Sequence, residues 1–216
     1  AARRGGPGVR RRGATLRGRC PMSRELPIFP LQAVLFPGGT LALKIFEPRY
    51  MAMAAECLKT GTPFGVCLIA EGNEVGAPAR PHDVGSAARI GQWDMPQLGI
   101  LRVMVRGGQR FRILDRVVDA GGLVRARVDW LRDDAPPAVP ESCARMLPLL
   151  RQVVEDLGEE RVPAPHAFES ADWVGYRYAE ILPIPALARQ KLLELDDSLS
   201  RLEIIFRFLE EHQLLA

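Results

Sequence analysis

Residues 26–50 read LPIFPLQAVLFPGGTLALKIFEPRY, and this stretch decides the fold class. Pro27, Pro30 and Pro37 fix φ and remove backbone donors, so Leu26 to Ile45 is extended rather than helical. Pro37-Gly38-Gly39 makes a turn into Thr40–Phe46, where Leu41, Leu43 and Ile45 alternate with Thr40, Ala42 and Lys44 as in a half-buried strand. Pro48 suits a first helical position. Tyr50, Met51, Ala54, Ala55 and Leu58 then recur at helical spacing until Gly61.

Outward from this stretch the alternation continues. Phe64–Ala70 is a short apolar strand, and a polar loop runs from Glu71 to about Asp83. Strands are predicted at Val84–Asp94, Gly99–Arg106, Arg110–Val118 and Leu123–Trp130, with Gly107-Gly108 and Gly121-Gly122 as hairpin turns. Six or so strands with one early helix imply a small closed barrel. The run Asp133–Pro140 breaks both periodicities, and everything after it is helical in pattern. A helix over Glu141–Leu157 has Pro148 as its kink. Ser170 caps a second helix that Pro183 stops, Pro185 opens a third, and Asp196-Asp197-Ser198 precedes a fourth. The pattern Ser200-x-x-Glu203 is a competing start for that last helix.

The 216 residues are 47% hydrophobic and 25% charged, an ordinary globular composition. No apolar run is long enough to cross a bilayer. The formal charge of +3 hides a segregated distribution. Residues 1–21 hold seven Arg and no acid, residues 22–140 are nearly balanced, and residues 141–216 carry 14 acids against eight bases. The leader has little to bury and is expected to be disordered, with Met22 as the natural start; a transit peptide is the competing reading. The domain plan is therefore a leader over 1–22, a barrel over 23–133, a Pro-rich linker over 134–140 and a helical part over 141–216.

Chemistry-bearing motifs are few. The sequence contains no G-x-x-x-x-G-K-[ST] phosphate cradle and no G-x-S-x-G elbow. Cys20, Cys57, Cys67 and Cys143 are spaced unlike zinc ligands and read as small buried hydrophobes in a reducing cytoplasm. No catalytic residue, metal or cofactor is assigned. Two binding candidates remain. Trp93 and Met95, with Asp94 and Pro96, join two strands; exposed, they would contact a peptide, whereas the rule that large apolar side chains lie inside favours their plugging the barrel end. Arg125 and Arg127 belong to a run of seven Arg between residues 102 and 127, a basic face able to meet phosphates, with a solvated outer face as the plainer alternative.

The opening stretch from Leu26 to Tyr50 resembles the start of the Lon protease N-terminal domain family, as do Leu101-x-Val103-x-Val105-Arg106-Gly107-x-x-Arg110-Phe111 and Leu192-Leu193-Glu194-Leu195-Asp196. The likeness spans residues 24–212 and implies an α+β fold: a PUA-like β pseudo-barrel followed by an α-helical bundle. In the full protease an ATPase module and a Ser-Lys peptidase domain follow, so the chain is expected to be a stand-alone, non-catalytic bacterial member. By the resemblance Phe29, Leu35, Phe36, Ile45 and Phe46 are core, and Glu47 and Arg49 form a local polar clasp.

The expected function is binding of exposed apolar or unfolded segments of client proteins in the cytoplasm, as an adaptor or holdase beside a protease or chaperone. The groove between barrel and bundle is the favoured site, and the Trp93/Met95 loop the second. Nucleic-acid binding through Arg125 and Arg127 is the alternative, and no membrane partner is expected. Because residues 1–21 supply charge without apolar surface, their deletion is predicted to leave the thermal midpoint within about a degree. A drop of several degrees in a melting curve would show that the leader docks.

Overall fold

The Pro37-Gly38-Gly39 turn, fixed by three residues with restricted or permissive backbones, is where the two parts of the molecule meet. In the computed structural model, which describes residues 24–131 and 137–215, the turn is followed by all the elements that the periodicities require. The leader and residues 132–136, including the start of the expected linker, lie outside the described residues.

The strands are β1 (Arg24–Leu31), β2 (Thr40–Ile45), β3 (Phe64–Glu71), β4 (Arg80–Pro81), β5 (Val84–Gln97), β6 (Ile100–Val118) and β7 (Val124–Trp130), with helix α1 (Pro48–Thr60) between β2 and β3. Hydrogen-bonded neighbours run β1-β7-β6-β5-β3-β4, and β2 adds to β6. A parallel β1–β3 pairing, Ile28 opposite Gly65 through Leu31 opposite Leu68, closes β1, β7, β6, β5 and β3 into a ring. Alternation puts Ile28, Phe111, Ala126 and Val128 into one buried cluster. Phe29, Phe64, Ile45, Val103 and Val105 form another, on which α1 lays Tyr50, Met53, Ala54 and Cys57.

A 3-10 turn at Glu141–Met146 leads into α2 (Leu147–Arg161), α3 (Ala171–Ile181), α4 (Ala186–Glu194) and α5 (Ser198–Glu211). Pro148 does not kink a helix; it stands in the first turn of α2, where its missing N–H costs nothing. Ser170 Oγ accepts the Trp173 N–H at 3.3 Å and so caps α3. Asp197, rather than Ser200, caps α5 by accepting the Ser200 N–H at 2.9 Å. Leu150, Val154, Val174, Tyr178, Leu202, Ile205 and Leu209 make the bundle core.

Gly107-Gly108 is not a turn, because β6 runs unbroken through it. Gly107 is required by close approach. The Gly107 N–H donates to Gly39 O and the Gly38 N–H to Gly107 O, both at 2.8 Å, and a Cβ on Gly107 would lie 2.0 Å from Phe36 O. The Pro37 turn thus presses its backbone onto the middle of β6. Of the motif residues, Phe29, Leu35, Phe36 and Ile45 are buried as expected, whereas Phe46 is 49% exposed because it lies past the end of β2 pairing.

The bundle is held to the barrel by polar groups taken fully out of water. Arg110, on β6 and 1% exposed, donates from Nη1 to the carbonyls of Leu193 and Leu195, each at 2.8 Å, with Asp196 Oδ1 at 3.4 Å. Gln190 Nε2 donates to Val84 O at 3.0 Å. Arg177 donates to Pro37 O at 2.9 Å and pairs with Glu180 at 3.1 Å. Burial pushes the Glu180 carboxyl up to about 7, against the pull of Arg177. Phe36 and Val84 enter the bundle core, Phe36 with its ring 5.7 Å from Tyr176.

Replacing Arg110 by Met is predicted to lower the unfolding free energy by about 3 kcal/mol, since it orphans two buried carbonyls and removes one side of an ion pair. Arg112→Met, at an exposed position two residues along the same strand, should stay within about 0.5 kcal/mol. Urea denaturation of the two variants checks this.

Candidate functional site

β3 begins at Phe64, which pairs with Ala88, so the remaining half of β5 has β6 as its single strand partner among the described residues. Beyond that point β5 and the start of β6 run on past β3 as a ribbon, with β2 paired to the other side of β6 as far as Leu101 and only the tip, closed by the two-residue turn Leu98-Gly99 with Gly99 at φ +83°, two-stranded. Every residue from Gly91 to Gly99 is exposed. Bulges lie between Ile90 and Gln92 and between Asp94 and Gln97.

Trp93 and Met95 sit on this ribbon, inside β5 rather than in a loop. They are 59% and 44% exposed, and Leu98 at the tip is 94% exposed. The expectation that Trp93 and Met95 plug the barrel is therefore corrected. Trp93 stands opposite Val103, which is buried and itself pairs with Leu43, so β6 is covered on its β2 side while β5, past the end of its pairing with β3, leaves Trp93 open to water. The ribbon tip joins a large aromatic, a flexible thioether and a branched aliphatic, side chains suited to adaptable apolar contact. Leu98 was not singled out from the sequence, although Leu98-Gly99 between two alternating runs is a turn signal.

Arg125 and Arg127 lie on the outer face of β7, while Val124, Ala126 and Val128 point inward. The face is not uniformly basic. Arg125 Nε is 3.1 Å from Asp119 Oδ2, and Arg127 stands in register between Glu25 on β1 and Asp115 on β6. The backbone N–H of Leu123, the Arg125 side chain and the N–H of Gly121 together hold the Asp119 carboxyl below its usual range. Elsewhere in the arginine run, Arg110 is buried in the seam, Arg116 is 3.2 Å from Asp83, and Arg102 faces Asp94 across the ribbon. Tertiary pairing has interleaved the run with carboxylates.

The groove expected between barrel and bundle is absent at the contact described above: Arg110, Gln190, Arg177, Phe36 and Val84 fill it. An apolar cavity of about 540 Å³ lies instead within the bundle, between α4 and α5, walled by Leu182, Ile184, Leu192, Ile204 and Phe208. Lys191 and Glu194, paired at 2.8 Å, stand at its rim. The helical periodicity of these segments carries no signal for a cleft between two of the helices.

Cys57, Cys67 and Cys143 are buried free thiols, and burial raises the pKa of Cys57 and Cys67. Such thiols are poor nucleophiles. Glu47 and Arg49 form the expected clasp at 2.8 Å, and Arg49 also donates to the carbonyls of Gly76 and Gly122. Among the described residues no group of three or more His, Cys, Asp or Glu converges to hold a metal ion, and no helix is long and apolar enough to cross a membrane. The geometry supplies exposed apolar surface at the ribbon tip and an apolar cavity between α4 and α5.

The fold is shared with known proteins. Residues 25–211 match the family described as the ATP-dependent protease La (LON) substrate-binding domain. A Lon N-terminal domain protein from Xanthomonas campestris has a crystal structure that superposes with a TM-score of 0.72 at 34% identity, covering 86% of this chain and 98% of that one. The N-terminal domain of a Mycobacterium avium complex Lon protease, at 16% identity, shares the fold with a TM-score of 0.63 over 88% of this chain and 100% of that one. Lon protease 2 of Myxococcus xanthus is 29% identical over 193 residues, 85% of this chain and 23% of that protein. Protein cereblon of Xenopus tropicalis is 29% identical over 118 residues, 53% of this chain and 25% of that protein. The chain thus spans about a quarter of the length of these curated relatives. With a substrate-binding domain matched from β1 to the end of α5, the chain belongs to the substrate-binding domain family of the Lon protease.

Proposed function

We propose that this chain binds exposed apolar or unfolded segments of client proteins as a non-catalytic recognition module, acting as an adaptor or holdase for a protease or chaperone in the cytoplasm. The observation that carries this reading is the ribbon tip, where Trp93, Met95 and Leu98 stand exposed. Large apolar groups displayed on a projecting ribbon are available to a partner. Their arrangement on a strand pair, rather than in a deep pocket, suits many sequences loosely instead of one ligand tightly. Family membership supports the same reading, because the matched part of Lon is its substrate-binding domain. Nucleic-acid binding draws less support, since the outer-face arginines have carboxylate neighbours at Asp119, Asp115 and Glu25.

Binding of a permanently unfolded, fluorescently labelled polypeptide should change less than twofold in affinity between about 50 and 200 mM salt, whereas a site of six phosphate contacts would lose roughly 10³ over that range. Fluorescence anisotropy on the protein beginning at Met22 checks this. Tight RNA binding at physiological salt, abolished by Arg125→Ala with Arg127→Ala while polypeptide binding is undetectable, would overturn the proposal.

Trp93→Ser combined with Met95→Ser should weaken polypeptide binding at least tenfold and leave stability within about 0.5 kcal/mol, as for exposed positions generally. Urea titration beside the binding measurement separates the two effects.

A further inference from the structure

We infer that the free edge of β2 takes up an extended segment of an unfolded polypeptide by strand addition. This rests on the reading of the chain as a polypeptide-binding module, but it concerns a surface on the other side of β6 from the β5 edge of the ribbon.

β2 pairs with β6 alone among the described strands, from Thr40 opposite Arg106 to Ile45 opposite Leu101. In an antiparallel pair alternate backbone N–H and C=O groups point away from the partner strand, so β2 presents a row of donors and acceptors on its outer side. A cavity of about 370 Å³ runs along that side. Its lining includes every consecutive residue from Leu41 to Glu47. Side chains of a strand alternate between faces, so an unbroken run of lining residues means that the cavity follows the strand's edge rather than either face.

The recess has a rigid floor and an apolar mouth. Phe29 and Tyr50 are buried and stacked with their ring centroids 4.0 Å apart, while Phe46 and Val75 are exposed at the rim. The carboxylates at the site are already engaged: Glu47 by Arg49, and Glu74 by the backbone N–H of Gln32. What the recess offers is therefore an unpaired strand edge beside apolar groups, with Lys44 as the exposed cation of its lining, and the chemical complement of such an edge is another extended backbone. A second folded copy is disfavoured as occupant, because its own β2 edge lies in the same recess and two recessed edges do not meet. A loose chain, one strand wide, can enter.

The test uses a fluorescein-labelled Thr-Val-Thr-Val-Thr-Val-Thr peptide and its counterpart N-methylated at the three central residues, which keeps the side chains and removes donors from both peptide edges. The expected result is binding of the parent peptide, at least tenfold weaker binding of the N-methylated one, and slowed amide hydrogen exchange across residues 41–45 on addition of the parent. Ala33→Trp, which narrows the recess, should weaken binding, and Leu187→Ser, at an exposed position on α4 outside the recess, should leave this peptide's affinity unchanged. Equal affinity for the two peptides, or unchanged exchange at residues 41–45, would overturn strand addition. So would a concentration-dependent dimer that protects the same amides without peptide. If an unfolded protein binds and only the ribbon substitutions abolish it, the proposed function stands and this inference falls; if neither probe binds, both fall.

Discussion

The carbonyl end of α4 is the constraint on which the rest of the molecule depends. A helix leaves its last carbonyls without partners, and burying them unpaired is costly. Here Arg110 reaches from the barrel to Leu193 O and Leu195 O, and Arg201 reaches from α5 to Leu192 O through Nε at 3.0 Å. Arg201 is itself anchored by Asp172 at 2.8 Å and lies over the Tyr176 ring at 4.2 Å. Two guanidinium groups, each essentially inaccessible to water, thus join β6, α3, α4 and α5 at one point. Hydrogen bonds of this kind demand fixed geometry, so the bundle has one seat on the barrel.

That seat determines where binding can occur. A seam filled by buried arginines, Gln190 and two apolar plugs has no room for a client chain, and contact surfaces must lie elsewhere. The barrel supplies them through unequal strand lengths. β6 is 19 residues long and β5 is 14, while β3 and β2 have 8 and 6. A ring needs only part of the two long strands. The excess projects as the ribbon, and β2, laid on the outside of the same stretch of β6, keeps an unpaired edge. Both candidate surfaces follow from one mismatch in length.

Most of the architecture was legible in the sequence because it rests on local rules. Proline placement between residues 27 and 37, alternation in β2 and β7, the Pro48 start and Gly61 end of α1, and the Ser170 cap each depend on neighbours within a few positions. The resemblance of residues 26–50 supplied the order of barrel and bundle. The candidate site was legible in part: Trp93 and Met95 stood out by type, but their exposure did not, and the β2 edge gave no sign.

What the sequence determined by itself is the set of elements, their order and the apolar faces they must bury, since periodicity and turn chemistry are properties of contiguous residues. Only the tertiary structure decided which arginine is buried and which is solvated, for Arg110 and Arg112 look alike in a strand pattern and differ in what lies across from them. It also decided that Gly107 is a point of close approach, that Phe46 faces water, and that Trp93 lies past the end of β3 and faces water. Each of these depends on a segment distant in sequence, Gly39 for Gly107 and the end of β3 for the ribbon. Burial is a relation between surfaces brought together by folding, and no local pattern contains the second surface.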